Sequence, residues 1–257
     1  MNTYPENIKR KADRALNQLR EITITPNYNK YAEGSCLIEF GNTKIICTAS
    51  LEAKVPRFLK GTGKGWLTAE YGMLPRSTAE RMEREAVKGK QSGRTQEIQR
   101  LIGRSLRTAV DFEALGERQI KIDCDVLQAD GGTRTASICG GYIALYLAFQ
   151  TLVNKGIISH IPLTSEIAAI SCGVYNDQLL LDLDYSEDSQ AQTDANFVMT
   201  ADKNLIEVQV SSEKSPINKE NFQELFFLAE QGIEQLIIIQ RAVLQNYLQA
   251  NKEKQNN

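Results

Sequence analysis

Two hairpin signals, one in each half of the chain, restrict the folds available to this sequence. Alternating, strand-like segments flank Gly41-Asn42 in the first half and Asn176-Asp177 in the second. Two-residue turns of this composition join antiparallel strands. Helical patterns occur in both halves, and no linker rich in Pro, Gly or Ser separates them. We therefore predict an α/β (α+β) fold with mixed sheets, packed helices and two pattern-similar halves.

Alternation and helical spacing place the individual elements. The predicted strands are residues 19–25, 35–40, 43–50, 119–126, 168–175, 178–184, 197–199 and 205–210. A Gly-rich stretch at 61–65 leads into residues 66–74 without a prediction of their structure. The predicted helices are residues 78–88, 94–114, 133–152 and 221–248, followed by a disordered tail at 252–257. The apolar residues of the last helix suit core packing at least as well as a subunit contact; they include Phe222, Leu225, Phe226, Ile233 and Leu236.

The composition is that of a soluble globular protein, with 42% apolar and 24% charged residues. We find no run of about 18 uncharged apolar residues and no secretory signal at the start, so we expect a cytoplasmic protein without a membrane span. The five cysteines are scattered, which favours reduced, buried thiols over disulfides or zinc. The only histidine, His160, lies in a loop-like segment, so catalysis by a histidine base has one weak candidate.

The net charge of −2 conceals a segregation of charge along the chain. Residues 76–107 carry nine Lys or Arg against four Glu, and residues 182–194 carry five acids and no basic residue. Two solvated faces that offset each other are one interpretation. The other is an anion-binding surface and a cation-binding site in one molecule, which suits phosphate chemistry on a polyanion.

A first candidate site is Ser92-Gly93-Arg94, a small turn that leads into a helix. The N-terminus of a helix offers unpaired N–H groups and partial positive charge, and an arginine there adds a fork for phosphate oxygens. Many helices begin in this way without binding anything, so this segment alone indicates an anion site only weakly.

A second candidate is residues 130–135, with the sequence DGGTRT, between a strand and the apolar helix. Paired glycines let backbone amides approach an anion, while Thr133 adds a hydroxyl donor and Arg134 a charge. A plain helix cap by Asp130 or Thr133 is an equally good interpretation. The segment is not a P-loop, because G-x-x-x-x-G-K-[ST] occurs nowhere in the chain.

A third candidate is the pair Asp188 and Asp194, which lies next to a strand. Two carboxylates at this spacing can converge on one Mg²⁺ whose shell a substrate phosphate completes. Acidic residues in loops are more often simply solvated, so the spacing alone leaves the metal site open.

Longer strings in the chain resemble the ribonuclease PH family of bacteria. They are YAEGS at 31–35, VPRFLKG at 55–61, GWLTAEYGMLPR at 65–76, KQSGRTQEIQRLIGR at 90–104 and IDCDVLQADGGTRTAS at 122–137. The resemblance runs from about residue 14 to about residue 245. It implies a single ribonuclease PH domain over residues 1–257, with a core at about 14–248. This α/β fold is related to the core of polynucleotide phosphorylase and to the exosome ring.

The resemblance also implies a function. Family members use inorganic phosphate to remove nucleotides from the 3′ ends of tRNA precursors, and of other RNA such as rRNA, and they form hexameric rings that are trimers of dimers. By motif, the residues expected to bind phosphate are Arg94, Gly132, Thr133 and Arg134. The pair expected to be catalytic and to hold Mg²⁺ is Asp188 and Asp194. The arginines expected to bind RNA are Arg76, Arg81 and Arg84.

Five positions depart from the family pattern: Ala15, Glu21, Gln192, Ala195 and Val210. These changes leave the expected phosphate and carboxylate positions intact. Two other functions remain as alternatives, a non-catalytic RNA-binding ring subunit and a metal-dependent nuclease that uses water. The presence of Asp188, Asp194 and Arg134 argues against the first.

Overall fold

A computed structural model describes residues 10–213 and 216–255 of the chain. The first half forms a five-stranded sheet from β1 (Ile22–Pro26), β2 (Gly34–Phe40), β3 (Thr43–Glu52), β4 (Trp66–Met73) and β5 (Gln119–Gln128). The strand order is β1-β2-β3-β5-β4, and all neighbours are antiparallel except β4 and β5. The predicted hairpin at Gly41-Asn42 joins β2 to β3 and is confirmed.

The second half forms a four-stranded antiparallel sheet from β6 (Ile167–Tyr175), β7 (Gln178–Leu181), β8 (Thr193–Thr200) and β9 (Leu205–Ser212). Its strand order is β7-β6-β8-β9. Asn176 and Asp177 have φ values of 47° and 59°, as a type I′ turn requires. The second predicted hairpin is therefore confirmed as well.

Helices cover and separate the two sheets: α1 (Glu85–Lys88), α2 (Gly93–Arg107), α3 (Phe112–Leu115), α4 (Thr133–Asn154), α5 (Tyr185–Asp188) and α6 (Lys219–Gln255). Helix α4 packs against β2 and β3 of one sheet and β6 of the other. Helix α6 packs against β6 and β7. One connected cluster of buried apolar side chains extends through both sheets, so α4 joins the two halves.

The length and composition of α4 would also allow it to span a membrane. In this fold 78% of its most apolar window is buried inside the protein, as expected of the core helix of a soluble protein. The five cysteines are free and buried in the same core, which confirms the prediction of reduced, buried thiols. His160 is exposed, with Nδ1 3.0 Å from the Ser159 hydroxyl oxygen.

Two helix predictions were wrong in extent. The helix expected at 94–114 is two helices, because Val110 forms a bridge with Leu163 and Asp111 then caps α3 by accepting from the N–H of Glu113 at 3.0 Å. The helix expected at 78–88 begins only at Glu85. Local bonds such as the one from the Thr78 hydroxyl to the Glu80 carbonyl oxygen, at 2.7 Å, replace helical bonds before it.

Other boundaries also differ from the prediction. The strand expected at 197–199 is β8 and begins at Thr193, and the strand expected from residue 19 is β1 and begins at Ile22. The strand expected to reach residue 184 ends at Leu181, because Asp182 adopts a φ of 55°. Helix α6 continues to Gln255, so residues 252–255 are helical where a disordered tail was expected; residues 256–257 lie outside the described residues. Core packing of the apolar α6 residues is confirmed: Leu225, Ile233 and Leu236 are buried, and Phe222 and Phe226 pack against the core cluster.

Candidate active site

The turn between β5 and α4, which we call the glycine turn (residues 130–132), leaves backbone amides open. Gly131 and Gly132 have φ values of 82° and 67°, a backbone conformation that favours glycine. A Cβ on Gly131 would lie 2.6 Å from the carbonyl oxygen of Leu183. Gly132 is the N-cap of α4, and no described side chain caps that helix start. A cap by Asp130 or Thr133 is therefore ruled out, and the first N–H groups of α4 can receive an anion.

Thr133 and Arg134, the first residues of α4, are held by partners from other elements. The buried Thr133 hydroxyl accepts a hydrogen bond from the Tyr71 hydroxyl at 2.9 Å. The Arg134 side chain is 15% exposed, and its guanidinium donates to Gln209 at 2.7 Å and to Glu97 at 3.3 Å. Gln209 also donates to Glu97 at 3.1 Å. These bonds fix the Arg134 guanidinium beside the open helix start.

Arg94 is the second residue of α2 and is exposed. The preceding Ser92 is the N-cap, and its hydroxyl accepts from the N–H of Thr95 at 3.1 Å. This helix start is therefore partly satisfied by its own cap. The positive charge of Arg94 opposes the rise in the pKa values of Asp188 and Asp194, which places Arg94 within electrostatic reach of both carboxylates.

The two carboxylates come from different elements, since Asp188 ends α5 and Asp194 lies on β8. Burial raises the pKa of Asp188. Burial and the neighbouring Asp188 raise the pKa of Asp194 to about 6, against the opposing charges of Arg134 and Arg94. Two desolvated carboxylates that repel each other are stabilised by a cation between them.

This carboxylate pair fits a hard divalent cation. Mg²⁺ prefers oxygen ligands and is commonly held by one or two carboxylates, with water and phosphate oxygens completing its shell. The described residues contain no cluster of three or more His, Cys, Asp or Glu side chains suited to a metal. The protein would thus supply Asp188 and Asp194, and water and a phosphate-bearing substrate would supply the other ligands.

The predicted phosphate and carboxylate residues therefore converge. The charges of Arg94 and Arg134 act on Asp188, on Asp194 and on Tyr71, the partner of Thr133. In the second sheet, Asn196 lies opposite Gln209 and donates to Asp194 at 3.4 Å. Two arginines, one of them at an uncapped helix start, thus act on two carboxylates, an arrangement that suits phosphate chemistry on a polyanion.

The three arginines expected to bind tRNA lie on the exposed segment between β4 and α1. Arg76 donates to the Ala79 carbonyl oxygen at 2.9 Å, and Arg84 is the N-cap of α1. No contact among the described residues joins Arg76, Arg81 or Arg84 to the carboxylates. Their role in RNA binding stays a prediction.

Only part of the acidic segment at 182–194 is available to bind a cation. Three of its five acids are buried in structural roles: Asp182 pairs with Arg20, Glu187 pairs with Arg10, and Asp184 caps α5. These arginines lie more than 160 residues earlier in the chain, so local spacing could not reveal the pairs.

Three site residues were missed altogether, namely Tyr71, Glu97 and Gln209. The first two lie inside family-like strings, and no other feature of the sequence pointed to them.

Two family models match the chain. Residues 18–149 match domain 1 of the 3′ exoribonuclease family, and residues 165–232 match its domain 2. The glycine turn falls in the first region and both carboxylates in the second. The buried core is continuous across the two regions, and the single domain expected over residues 1–257 stays a prediction.

Similar proteins of known identity cover nearly the whole chain. Ribonuclease PH of Cereibacter sphaeroides is 58% identical over 235 residues, which is 91% of this chain and 99% of that protein. Ribonuclease PH of Rhodospirillum rubrum is 54% identical, over 91% of this chain and 98% of that protein.

Solved structures share the fold at lower identity. The crystal structure of rice (Oryza sativa) Rrp46 matches with a TM-score of 0.74 at 21% identity, over 91% of this chain and all of that chain. The Archaeoglobus fulgidus exosome with RNA bound to the active site matches with a TM-score of 0.77 at 20% identity, over 89% of this chain and 91% of that chain. The α/β fold expected from the sequence is confirmed. By both family models and by its relatives, this chain belongs to the ribonuclease PH family of 3′ exoribonucleases.

Proposed function

We propose that this chain removes nucleotides from the 3′ ends of tRNA precursors, and of rRNA, by phosphorolysis. The supporting observation is the uncapped start of α4, at which Arg134 lies. The positive charges of Arg134 and Arg94 act on the desolvated carboxylates of Asp188 and Asp194. The enzyme is a phosphate-dependent 3′-to-5′ exoribonuclease. In the reverse direction it is a nucleotidyltransferase that adds nucleotides from diphosphates to RNA 3′ ends.

Inorganic phosphate binds at the glycine turn as the co-substrate. The backbone amides of the turn and the guanidinium groups of Arg94 and Arg134 neutralise and orient it. Because Tyr71 donates to the Thr133 oxygen, the hydroxyl hydrogen of Thr133 is free to donate to the anion.

A phosphate oxygen then bonds to the phosphorus of the last phosphodiester. The bond from that phosphorus to the 3′ oxygen of the preceding nucleotide breaks, and this oxygen takes up the proton that the attacking hydrogen phosphate loses. The products are a nucleoside 5′-diphosphate and an RNA shorter by one nucleotide. Most of the rate enhancement comes from positioning and electrostatic stabilisation, because charge grows on the transferring oxygens. Asp188 and Asp194 would hold Mg²⁺, which supplies charge stabilisation at the leaving oxygen when bound.

We also propose an RNA contact surface, an oligomeric state and a location for the protein. The exposed segment that follows β4 binds the RNA upstream of its 3′ end through Arg76, Arg81 and Arg84. The protein assembles as a hexameric ring, a trimer of dimers, in the cytoplasm. Sedimentation of the purified chain tests the ring: a species of six monomer masses supports it, and a monomer contradicts it.

One assay separates this function from its alternatives. A tRNA precursor with a labelled 3′ extension is incubated with the protein, with and without inorganic phosphate, and the released nucleotides are identified by chromatography. Diphosphates that form only with phosphate support phosphorolysis. Monophosphates formed without phosphate indicate a hydrolytic nuclease, and no product indicates a non-catalytic ring subunit. The Asp188→Asn variant is the control for contaminating nucleases.

A further inference from the structure

Two side chains from the first half of the chain, Arg20 and Thr43, make hydrogen bonds to the glycine turn. Arg20 is 7% exposed, and its Nη1 donates to the carbonyl oxygens of Asp130 at 2.7 Å and Gly131 at 3.4 Å. The buried Thr43 hydroxyl donates to the Gly131 carbonyl oxygen at 2.6 Å and accepts from the Asp130 N–H at 2.9 Å. A Cβ on Gly132 would lie 2.9 Å from Nη2 of Arg20. The turn therefore lies directly on the guanidinium.

Arg20 also joins this turn to the segment that carries the carboxylates. Its Nε and Nη2 donate to the two carboxylate oxygens of Asp182 at 3.0 and 2.7 Å, and its backbone N–H donates to the same carboxylate at 2.8 Å. Asp182 is fully buried and lies in the segment that leads to α5 and Asp188. The backbone of residues 183–185 packs against Gly131, whose Cβ would meet it at 2.6–2.8 Å.

A second buried pair fixes α5 itself. The Arg10 guanidinium donates to both carboxylate oxygens of Glu187, at 2.7 and 2.9 Å, and Arg14 adds a bond at 3.3 Å. Glu187 also accepts from the backbone N–H of Asp184 at 3.0 Å. Because Glu187 immediately precedes Asp188, this network restrains the carboxylate segment in addition to the contacts from the glycine turn.

The guanidinium of Arg20 is already occupied by the protein. All three of its nitrogens donate to acceptors of the chain, and the bidentate pair with Asp182 neutralises its charge. Burial opposes the charged form, yet Asp182 holds the pKa of Arg20 above its usual value, so the side chain stays charged. Its donors are directed at the protein rather than at a bound phosphate. Arg20 therefore acts on the reaction through the groups that it holds.

We propose that Arg20 and Thr43 are positioning residues that set the distance between the glycine turn and the carboxylates. This inference rests on the proposed phosphorolysis, in which bound phosphate and the scissile bond must be aligned. A misplacement of about 1 Å in reacting groups lowers rates by about 10². Arg20 lies in the region that matches the first family model and Asp182 in the region that matches the second, so their pair fixes the two halves of the site relative to each other.

Thr43 gives the sharper test, because a nearly isosteric change removes the hydroxyl without removing a charge. We expect Thr43→Val to raise the Kd for inorganic phosphate about 10-fold and to lower kcat by about 10- to 10²-fold. KM for RNA should change less than the Kd for phosphate, because Thr43 bonds to the glycine turn and to none of the arginines proposed to bind RNA. Thr43→Ser keeps the hydroxyl and should restore wild-type values to within about two-fold. Equilibrium dialysis with inorganic phosphate gives the Kd, and diphosphate release gives kcat and both KM values.

Arg20→Lys keeps a positive charge but loses the fork that spans the turn carbonyls and Asp182. We expect kcat/KM for phosphate to fall by about 10². Arg241→Lys is the control, since it removes the fork of another arginine, paired with Glu166 on the surface, and should leave the kinetics unchanged. Thermal unfolding of each variant establishes that it is folded at the assay temperature.

The proposal is overturned if Thr43→Val remains folded and keeps the wild-type phosphate affinity and kcat, with only a lower unfolding temperature. It is also overturned if Thr43→Ser is impaired as much as Thr43→Val, because the hydroxyl would then not be the relevant group. A wild-type protein that binds phosphate but releases no diphosphate would instead refute the proposed function. In that case the phosphate affinities of the Thr43 variants still decide whether the Thr43 hydroxyl positions the glycine turn.

Discussion

The carboxyl group of Asp194 titrates differently in the folded and the unfolded chain. Burial and Asp188 raise its pKa to about 6 from an ordinary value of 3.8. Between these two values the folded protein binds a proton that the unfolded chain has released. Stability therefore falls as the pH rises through this window, and the full destabilisation is present above it. The negative charge of Asp194 therefore makes the protein less stable when no cation is bound.

We expect Asp194→Asn to stabilise the protein while abolishing phosphorolysis. Without divalent cations and phosphate, the free energy of unfolding at pH 8 should rise by about 1–2 kcal/mol, and the gain should disappear below about pH 4. Urea unfolding at both pH values measures it. Asp202→Asn, at an exposed position, should change stability by only a few tenths of a kcal/mol. A loss of stability at pH 8 in Asp194→Asn would contradict the raised pKa.

The guanidinium of Arg134 supports a second prediction. Arg134→Met should lower turnover at limiting phosphate by about 10²–10³, because it removes a donor that Glu97 and Gln209 hold in place beside the helix start. Arg94→Met should act in the same direction. Arg100→Met, an exposed arginine on the same helix α2, is the matched control and should leave turnover unchanged. Wild-type activity in Arg134→Met would place the phosphate elsewhere.

Among the elements, those governed by local signals could be predicted and those governed by distant partners could not. The two hairpins and α4 follow from turn residues and apolar spacing. The break between α2 and α3 depends on a bridge from Val110 to Leu163, and the end of β7 depends on the buried pair of Asp182 with Arg20. Neither of these two contacts is visible as a local pattern in the sequence, so the predicted helix and the predicted strand were both too long.

The candidate site shows the same limit. From residue types alone, the glycine turn was as well explained by a plain helix cap, and only the resemblance to a family favoured an anion site. The structure removes the cap interpretation, because Gly132 is the N-cap and no described side chain makes a capping hydrogen bond to the first N–H groups of that helix. The orienting contacts of Arg134 come from α2 and β9, which no spacing along the chain could have brought together.

The glycine turn as an element can be tested with a matched pair of glycines. Gly131 and Gly89 both have positive φ, 82° and 65°, but only Gly131 has backbone atoms within 3 Å of a would-be Cβ, whereas Gly89 has no neighbour within 4 Å. Gly89→Ala should cost about 1 kcal/mol of stability, from the backbone conformation alone. Gly131→Ala should cost roughly 2–4 kcal/mol and abolish phosphate binding. Chemical denaturation and phosphate dialysis measure the two effects, and equal costs would show that the turn is not tightly packed.

Across the whole molecule, we expect RNA to meet basic residues of the exposed surface before it reaches the carboxylates. Arg76, Arg81 and Arg84 are all exposed on the segment after β4. Some other cations are paired instead, as Arg104 is with Glu207 at 2.9 Å. The number of basic residues in 76–107 is therefore larger than the number of unpaired positive charges that an anion can contact.

Neutralising Arg76, Arg81 and Arg84 together should flatten the salt dependence of RNA binding. Each single-strand phosphate contact contributes about 0.7 to the slope of log K against log salt, so the triple Arg→Gln variant should lose about 2 units. Filter binding over a range of salt concentrations measures the slope. A control that changes the exposed lysines Lys155, Lys203 and Lys252 to Gln should keep it. An unchanged slope in the arginine variant would remove these residues from the RNA path.

The five buried cysteines make the native protein a convenient background for labelling. Burial raises the pKa of Cys139 to about 12 and that of Cys172 well above its usual value. Because maleimides react with accessible thiolates, the folded chain should stay unmodified without the removal of any native cysteine. A single Lys155→Cys change, at the exposed C-terminal end of α4, would then carry a fluorophore at one known position, from which the arrival of a dye-tagged RNA could be followed by energy transfer.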